Sequence, residues 1–103
     1  MIVAVAYMAM IRLSVLYPST EGASFDHEYY EEHHMALLHQ HWAPERLEVD
    51  RGVSGPYVAA VHVWFADQDA LNTAFAAPGT GGIMEDVANF TTIAPALQIS
   101  EIQ

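Results

Sequence analysis

The segment Tyr57–Phe65 (YVAAVHVWF) limits what this chain can fold into more than any other. It is rich in β-branched and aromatic residues, which suit a pleated, buried surface. Alternation puts Val61, Val63 and Phe65 on one side and Val58, Ala60 and Trp64 on the other. A strand that is apolar on both faces needs cover on both.

The rest of the chain supplies cover for one. Ile11–Tyr17 alternates apolar residues with Arg12 and Ser14 and reads as a first strand, ended by Pro18. Leu47–Gly52 reads as a second, followed by a Gly/Ser/Pro turn to Pro56, and Ala96–Ile102 as the last. A helix is expected over residues 27–42. Asp26 caps it, Phe25 staples onto Tyr30, and Pro44 stops it. Asp67 caps a second helix running through Ala77 and burying Leu71, Ala74 and Phe75. Pro78–Gly82 reads as a break and a loop, and Ile83, Met84 and Val87 as a further helical turn or two.

The order β-α-β-β-α-β is the α+β, ferredoxin-like arrangement, with helices on one face of the sheet. Two helices cannot cover both faces of Tyr57–Phe65. A second copy packed sheet to sheet is therefore expected, and a two-fold homodimer is the commonest such assembly. The alternative is a monomer with a weakly apolar outer face.

At 103 residues the chain is one domain, and its 52% hydrophobic content suffices for a core. Only 3 Lys+Arg stand against 13 Asp+Glu, a net charge of −10. That speaks against nucleic acid, whose binding rests on basic side chains displacing counterions, and against an anionic membrane surface. A small, neutral organic ligand fits better. No Cys is present, which removes disulfides and thiolate chemistry and is compatible with a cytoplasmic protein. The apolar run Ile2–Ile11 falls short of the roughly 20 residues of a membrane span. It also lacks the basic region and cleavage pattern of a signal peptide. Residues 1–9 read as an N-terminal extension, with Met10 an alternative start, and 10–103 as the domain.

Of six His, five fall between residues 27 and 41. At 100° per residue, Tyr30, Leu37 and Leu38 define an apolar stripe that also holds His27, His34 and His41, spaced seven apart. His34 and His41 are expected to face inward and His27 to sit at the rim, with His33 and His39 on the solvent side. Seven residues rise about 10.5 Å, too far for neighbours in the series to share one metal ion through bonds of about 2 Å. A metal site would need ligands from elsewhere, such as His62, and none is expected. Acid–base chemistry is the stronger functional reading, because an imidazole both takes and gives a proton near neutrality. His34 is then the proton shuttle, with Tyr30, one turn earlier, orienting substrate or stabilising an oxyanion. Tyr29, Leu37, His41, His62 and Trp64 are the expected substrate-binding residues. In the structural alternative, His34 is a satisfied core residue, Tyr29, Trp42 and Phe90 are core, and His62 serves the dimer interface. Pro78–Gly82 lacks the Gly-Lys-Ser/Thr ending of a phosphate loop.

The stretches Met10–Pro18, Phe25-Asp26…Tyr29-Tyr30…His34-Met35, Val49–Gly52, the Tyr57–Phe65 strand with His62, and Asn89…Glu101 together resemble EthD-type proteins. The family is named for association with ethyl tert-butyl ether degradation. The resemblance runs from Met10 to the end, and the chain departs from it at Ala36, where Pro is expected. It implies a dimeric α/β-barrel with a ligand pocket between helices and sheet, where an inward His34 points. Phe25, Asp26, Tyr30 and His34 match the recognisable motif. Similar barrels host monooxygenases, cyclases, isomerases and haem enzymes, so fold alone does not choose among chemistries.

The leading expectation is thus a cofactor-independent enzyme of oxidoreductase-like or isomerase/cyclase-like chemistry, acting on a small, fairly apolar molecule. The alternative is a non-catalytic binding or accessory protein. A haem site with His34 or His62 as proximal ligand ranks last, because few Lys and Arg are available to hold the propionates.

Overall fold

A computed structural model of the chain describes residues 9–103; the expected extension lies, but for Ala9, outside the described residues. Four strands, β1 (Ile11–Pro18), β2 (Arg46–Arg51), β3 (Tyr57–Phe65) and β4 (Ala96–Glu101), form one antiparallel sheet in the order β2-β3-β1-β4. With helices between β1 and β2 and between β3 and β4, this is the ferredoxin-like arrangement expected from the sequence.

Register assigns each side chain to a face. Leu13 lies opposite Val63 and Ile99, and Ser14 opposite His62 and Gln98. Leu13, Tyr17, Val61, Val63 and Phe65 are buried under the helices. The outer face carries Arg12, Ser14, Leu16, Ala60, His62 and Trp64.

The helix over residues 27–42 is not uniform. It opens as α1 (His27–Tyr29), widens into a π-helical turn (Tyr30–His34) and continues as α2 (Met35–Trp42). Its start is as expected: the Asp26 carboxylate accepts from the Tyr29 amide at 3.1 Å, and the Phe25 and Tyr30 rings lie 5.0 Å apart. It ends at Ala43 in a left-handed conformation (φ 42°), whose amide reaches the His39 carbonyl before Pro44. The wide turn changes which residues face the core. Tyr30, His34, Met35 and Leu38 are buried, whereas His27 and His41 are only half-buried. His27 is thus at the rim as expected, but a π turn takes an extra residue per turn, so His41 does not follow His34 inward.

Two further expectations are corrected. Phe75 in α3 (Gln68–Ala76) is 41% exposed, while Leu71 and Ala74 are buried. It sits at the helix edge with its ring 5.8 Å from that of Trp42. Pro78–Gly82 is not all loop, because α4 (Thr80–Asp86) begins inside it. The Thr80 hydroxyl donates to the Ala74 carbonyl at 2.6 Å and accepts from Trp42 Nε1 at 2.9 Å. These tertiary bonds override the poor helix propensity of Gly81 and Gly82.

Gly79 has a packing role, since a Cβ there would run into the His41 ring. Gly79→Ala is expected to cost about 1–3 kcal/mol through this overpacking, read as a lower melting temperature. An unchanged melt would show that His41 swings aside freely.

Candidate active site

The sequence brings His34 to the core side of the helix, and the fold gives it a partner from the end of α4. His34 Nδ1 lies 2.9 Å from Asp86 Oδ2, a buried contact. Asp86 is itself held. Its Oδ1 accepts from the Tyr29 hydroxyl at 2.6 Å and from Asn89 Nδ2 at 3.0 Å.

Burial lowers the His34 pKa below the ordinary imidazole value, and Asp86 only partly restores it. Burial alone would raise the Asp86 carboxyl, but its hydrogen bonds from Tyr29, Asn89 and His34 prevail and lower it. Both directions describe one state: an ionised Asp86 accepting a hydrogen bond from Nδ1–H of a neutral imidazole. Tyr29 is raised because its hydroxyl hydrogen is committed to Asp86. With Nδ1 occupied, Nε2 is the nitrogen left for a ligand.

His34 lines a cavity of about 260 Å³ between the helices and the sheet. Leu13, Val15, Leu38, Val61 and Ile83 make its walls largely apolar, and Tyr17 is on its floor. Thr80 also borders it, but its hydroxyl is already engaged as both donor and acceptor. Phe75, Met84 and Leu97 line the cavity while remaining exposed, so the opening is apolar too.

The other residues singled out by sequence do not converge on this cavity. Tyr30 stacks on His34 with ring centroids 5.7 Å apart and planes 16° from parallel, but it is fully buried and off the cavity wall. Its hydroxyl has no partner among the described residues. Tyr29 reaches Asp86 rather than the cavity, and Leu37 packs partly buried against the core. His41 borders a separate groove with Trp42, Pro44 and Phe65. His62 and Trp64 are on the opposite face of the sheet. There His62 bridges Ser14 Oγ (2.8 Å) and Asp50 Oδ2 (3.1 Å), and the guanidinium groups of Arg12 and Arg46 lie 5.8 and 4.9 Å from the centre of the Trp64 ring. Among the described residues, no three His, Asp or Glu side chains gather to hold a metal ion.

Sequence reading missed two residues at the site, Asp86 and Tyr17. Asp86 had a signal: it stands three residues after Ile83 and four before Phe90, both buried, so helical spacing turns it inward. Tyr17 entered only as the last apolar residue in the alternation of β1.

A solved structure of an EthD-like protein from Ralstonia eutropha JMP134 is 36% identical to this chain, with a TM-score of 0.83. The match covers 92% of this chain and 93% of that one. The chain belongs to the EthD family. An ethyl tert-butyl ether degradation (EthD) family protein from Bacillus halodurans C-125 is 21% identical, covering 91% of this chain and 99% of that one, with a TM-score of 0.75. Beyond the EthD proteins the fold alone is shared. SnoaB, a cofactor-independent oxygenase from Streptomyces nogalater, is 14% identical over 92% of this chain and 96% of its own, with a TM-score of 0.66. Other structures with this fold are described as dimeric. Neither a protein-family model nor a curated protein matches the chain.

Proposed function

We propose that this EthD-family chain is a cofactor-independent acid–base catalyst acting on a small, uncharged, mostly apolar organic molecule. The observation that carries the reading is the buried His34–Asp86 pair, whose imidazole borders an apolar cavity. A base needs a bare, correctly aimed nitrogen, and a buried carboxylate on the other nitrogen supplies tautomer and orientation. Tyr30 acts through the imidazole, as the surface on which it stacks. Pockets for drug-sized ligands run to about 300–1,000 Å³; a cavity of about 260 Å³ suits a one- or two-ring molecule and not a haem. Proton removal at an activated carbon leads to isomerisation or cyclisation. With molecular oxygen it leads to oxygenation, the class of reaction for which SnoaB is described.

The working unit of this proposal is a homodimer. Among the described residues, the outer sheet face carries Leu16, Val58, Ala60 and Trp64 with no helix over it, and Arg12 Nε is buried there without a partner. A second sheet covers both. A binding or carrier role is the competing reading, favoured by the exposed apolar opening at Phe75, Met84 and Leu97. Native mass spectrometry of freshly purified protein addresses assembly and cargo together. A dimer is expected, and a monomer at micromolar concentration would remove the sheet-to-sheet assembly.

The test of catalysis is its pH dependence. Because burial lowers the His34 pKa, kcat is expected to hold constant from alkaline pH down through 7 and to fall only below the ordinary imidazole range near 6.5. Stability has the same sign. Below about pH 6.5 the unfolded chain takes up a proton that folded His34 resists, so stability is lost as pH falls through that window. A rate without an acid limb would contradict the base assignment.

A further inference from the structure

The polar groups that the cavity leaves uncommitted are few, and they differ in kind. His34 Nε2 is an acceptor, since Nδ1 holds the proton shared with Asp86. The other is Tyr17, a residue of the same cavity lining, whose hydroxyl has no hydrogen-bonding partner among the described residues. Burial raises its pKa, so it stays an O–H donor.

Both groups are fixed by the same two rings. Tyr17 meets Tyr30 and Phe90 edge-on at 5.5 and 5.8 Å, and His34 meets the same two at 5.7 and 4.7 Å. Tyr17 belongs to the sheet and His34 to the helix above it, so the two residues border the cavity from different layers of the fold. No Lys or Arg lines the cavity, which leaves a carboxylate or phosphate without a counter-charge.

We infer that Tyr17 donates its hydroxyl to the carbonyl oxygen of an enolisable ketone while His34 Nε2 takes the proton from the adjacent carbon. This rests on the general-base reading of His34 and names the substrate class: uncharged cyclic or aryl ketones of one or two rings. The C–H electron pair becomes the C=C bond of the enolate, and the carbonyl π pair moves onto oxygen, where the Tyr17 O–H holds it. His34 then returns its Nε2 proton to the same or a vinylogous carbon, so no oxidant or cofactor is consumed. A donor placed where negative charge develops acts mainly on the rate.

The probes are 2-tetralone, an enolisable two-ring ketone, and the pair 2-naphthol and naphthalene, which differ by the one oxygen that Tyr17 would hold. Deuterium exchange at the activated carbons of 2-tetralone is followed by NMR in D2O. Wild type is expected to accelerate it. Tyr17→Phe is expected to fold with an unchanged melt and to lose about 10²–10³-fold in rate, the loss seen when one oxyanion donor is removed. Tyr17→Phe should also bind 2-naphthol about tenfold more weakly while binding naphthalene as before. His34→Gln should lose exchange yet keep the preference for 2-naphthol. If Tyr17→Phe exchanges like wild type with the 2-naphthol preference intact, the Tyr17 assignment is overturned and the base reading stands. If His34→Gln exchanges like wild type, the base reading fails instead. If wild type does not accelerate exchange, the ketone class is overturned.

Discussion

His34→Gln is expected to lower turnover by about 10²–10⁴-fold, the usual contribution of a positioned acid–base group, while the protein still folds cooperatively. Glutamine fills much of the space of the imidazole and keeps a donor for Asp86, so the buried carboxylate is not stranded. Asp86→Asn is expected to fall in the same range. Asparagine can still accept from Tyr29 and Asn89, but it no longer enforces the tautomer that bares Nε2. Because the two residues act as one unit, the double variant should lose little more than either single one. Steady-state rates on one common substrate decide this. Losses that multiply would mean that His34 and Asp86 work independently, and a variant that merely unfolds would assign the pair to the core.

The largest stability effect is expected at Tyr30. This fully buried ring touches Tyr17, Phe25, His34 and Phe90. Truncation to alanine should cost about 3–5 kcal/mol from transfer and cavity together, a large share of the roughly 5–15 kcal/mol of a typical domain. Tyr30→Phe should do the opposite. It removes a buried hydroxyl that has no partner among the described residues, and relief of that desolvation should leave the protein as stable or about 1 kcal/mol more so. Denaturant unfolding of the two variants separates the ring from its oxygen. A Tyr30→Phe variant that melts much earlier would reveal a partner for the hydroxyl. One that loses turnover as completely as His34→Gln would make Tyr30 a direct participant.

The sheet was legible because alternation in Ile11–Tyr17 and Tyr57–Phe65 is unambiguous, and because Asp26 and Asp67 are N-caps by chemistry and by position. The site was legible only on the helix. Counting at 100° per residue picked out His34 correctly as inward, but the π turn over Tyr30–His34 leaves no mark in hydrophobic spacing. His41 was therefore placed inward with it, whereas His27, expected at the rim, is half-buried. His62 and Trp64 were read onto one strand face, which is where they lie. That this face and the His34 cavity are on opposite sides of the sheet depends on which face the helices cover, and only packing shows that. Asp86 was obscured by its type, since a carboxylate in an apolar run reads as a solvent-facing residue until a buried partner is found for it. Tyr17 was obscured for the converse reason: an aromatic at an inward strand position reads as core, and its free hydroxyl becomes informative only once a cavity is seen beside it.

The central claim is that His34 at neutral pH is a neutral imidazole with its proton on Nδ1 and a bare Nε2 facing the cavity. Ring-nitrogen NMR of ¹⁵N-histidine-labelled protein, with His34 assigned by its loss in His34→Gln, measures this directly. A protonated Nδ1 and an unprotonated Nε2 at pH 7, a titration midpoint below 6.5, and a change of tautomer in Asp86→Asn are expected. A His34 that is charged at pH 7, or that carries its single proton on Nε2, would contradict the claim.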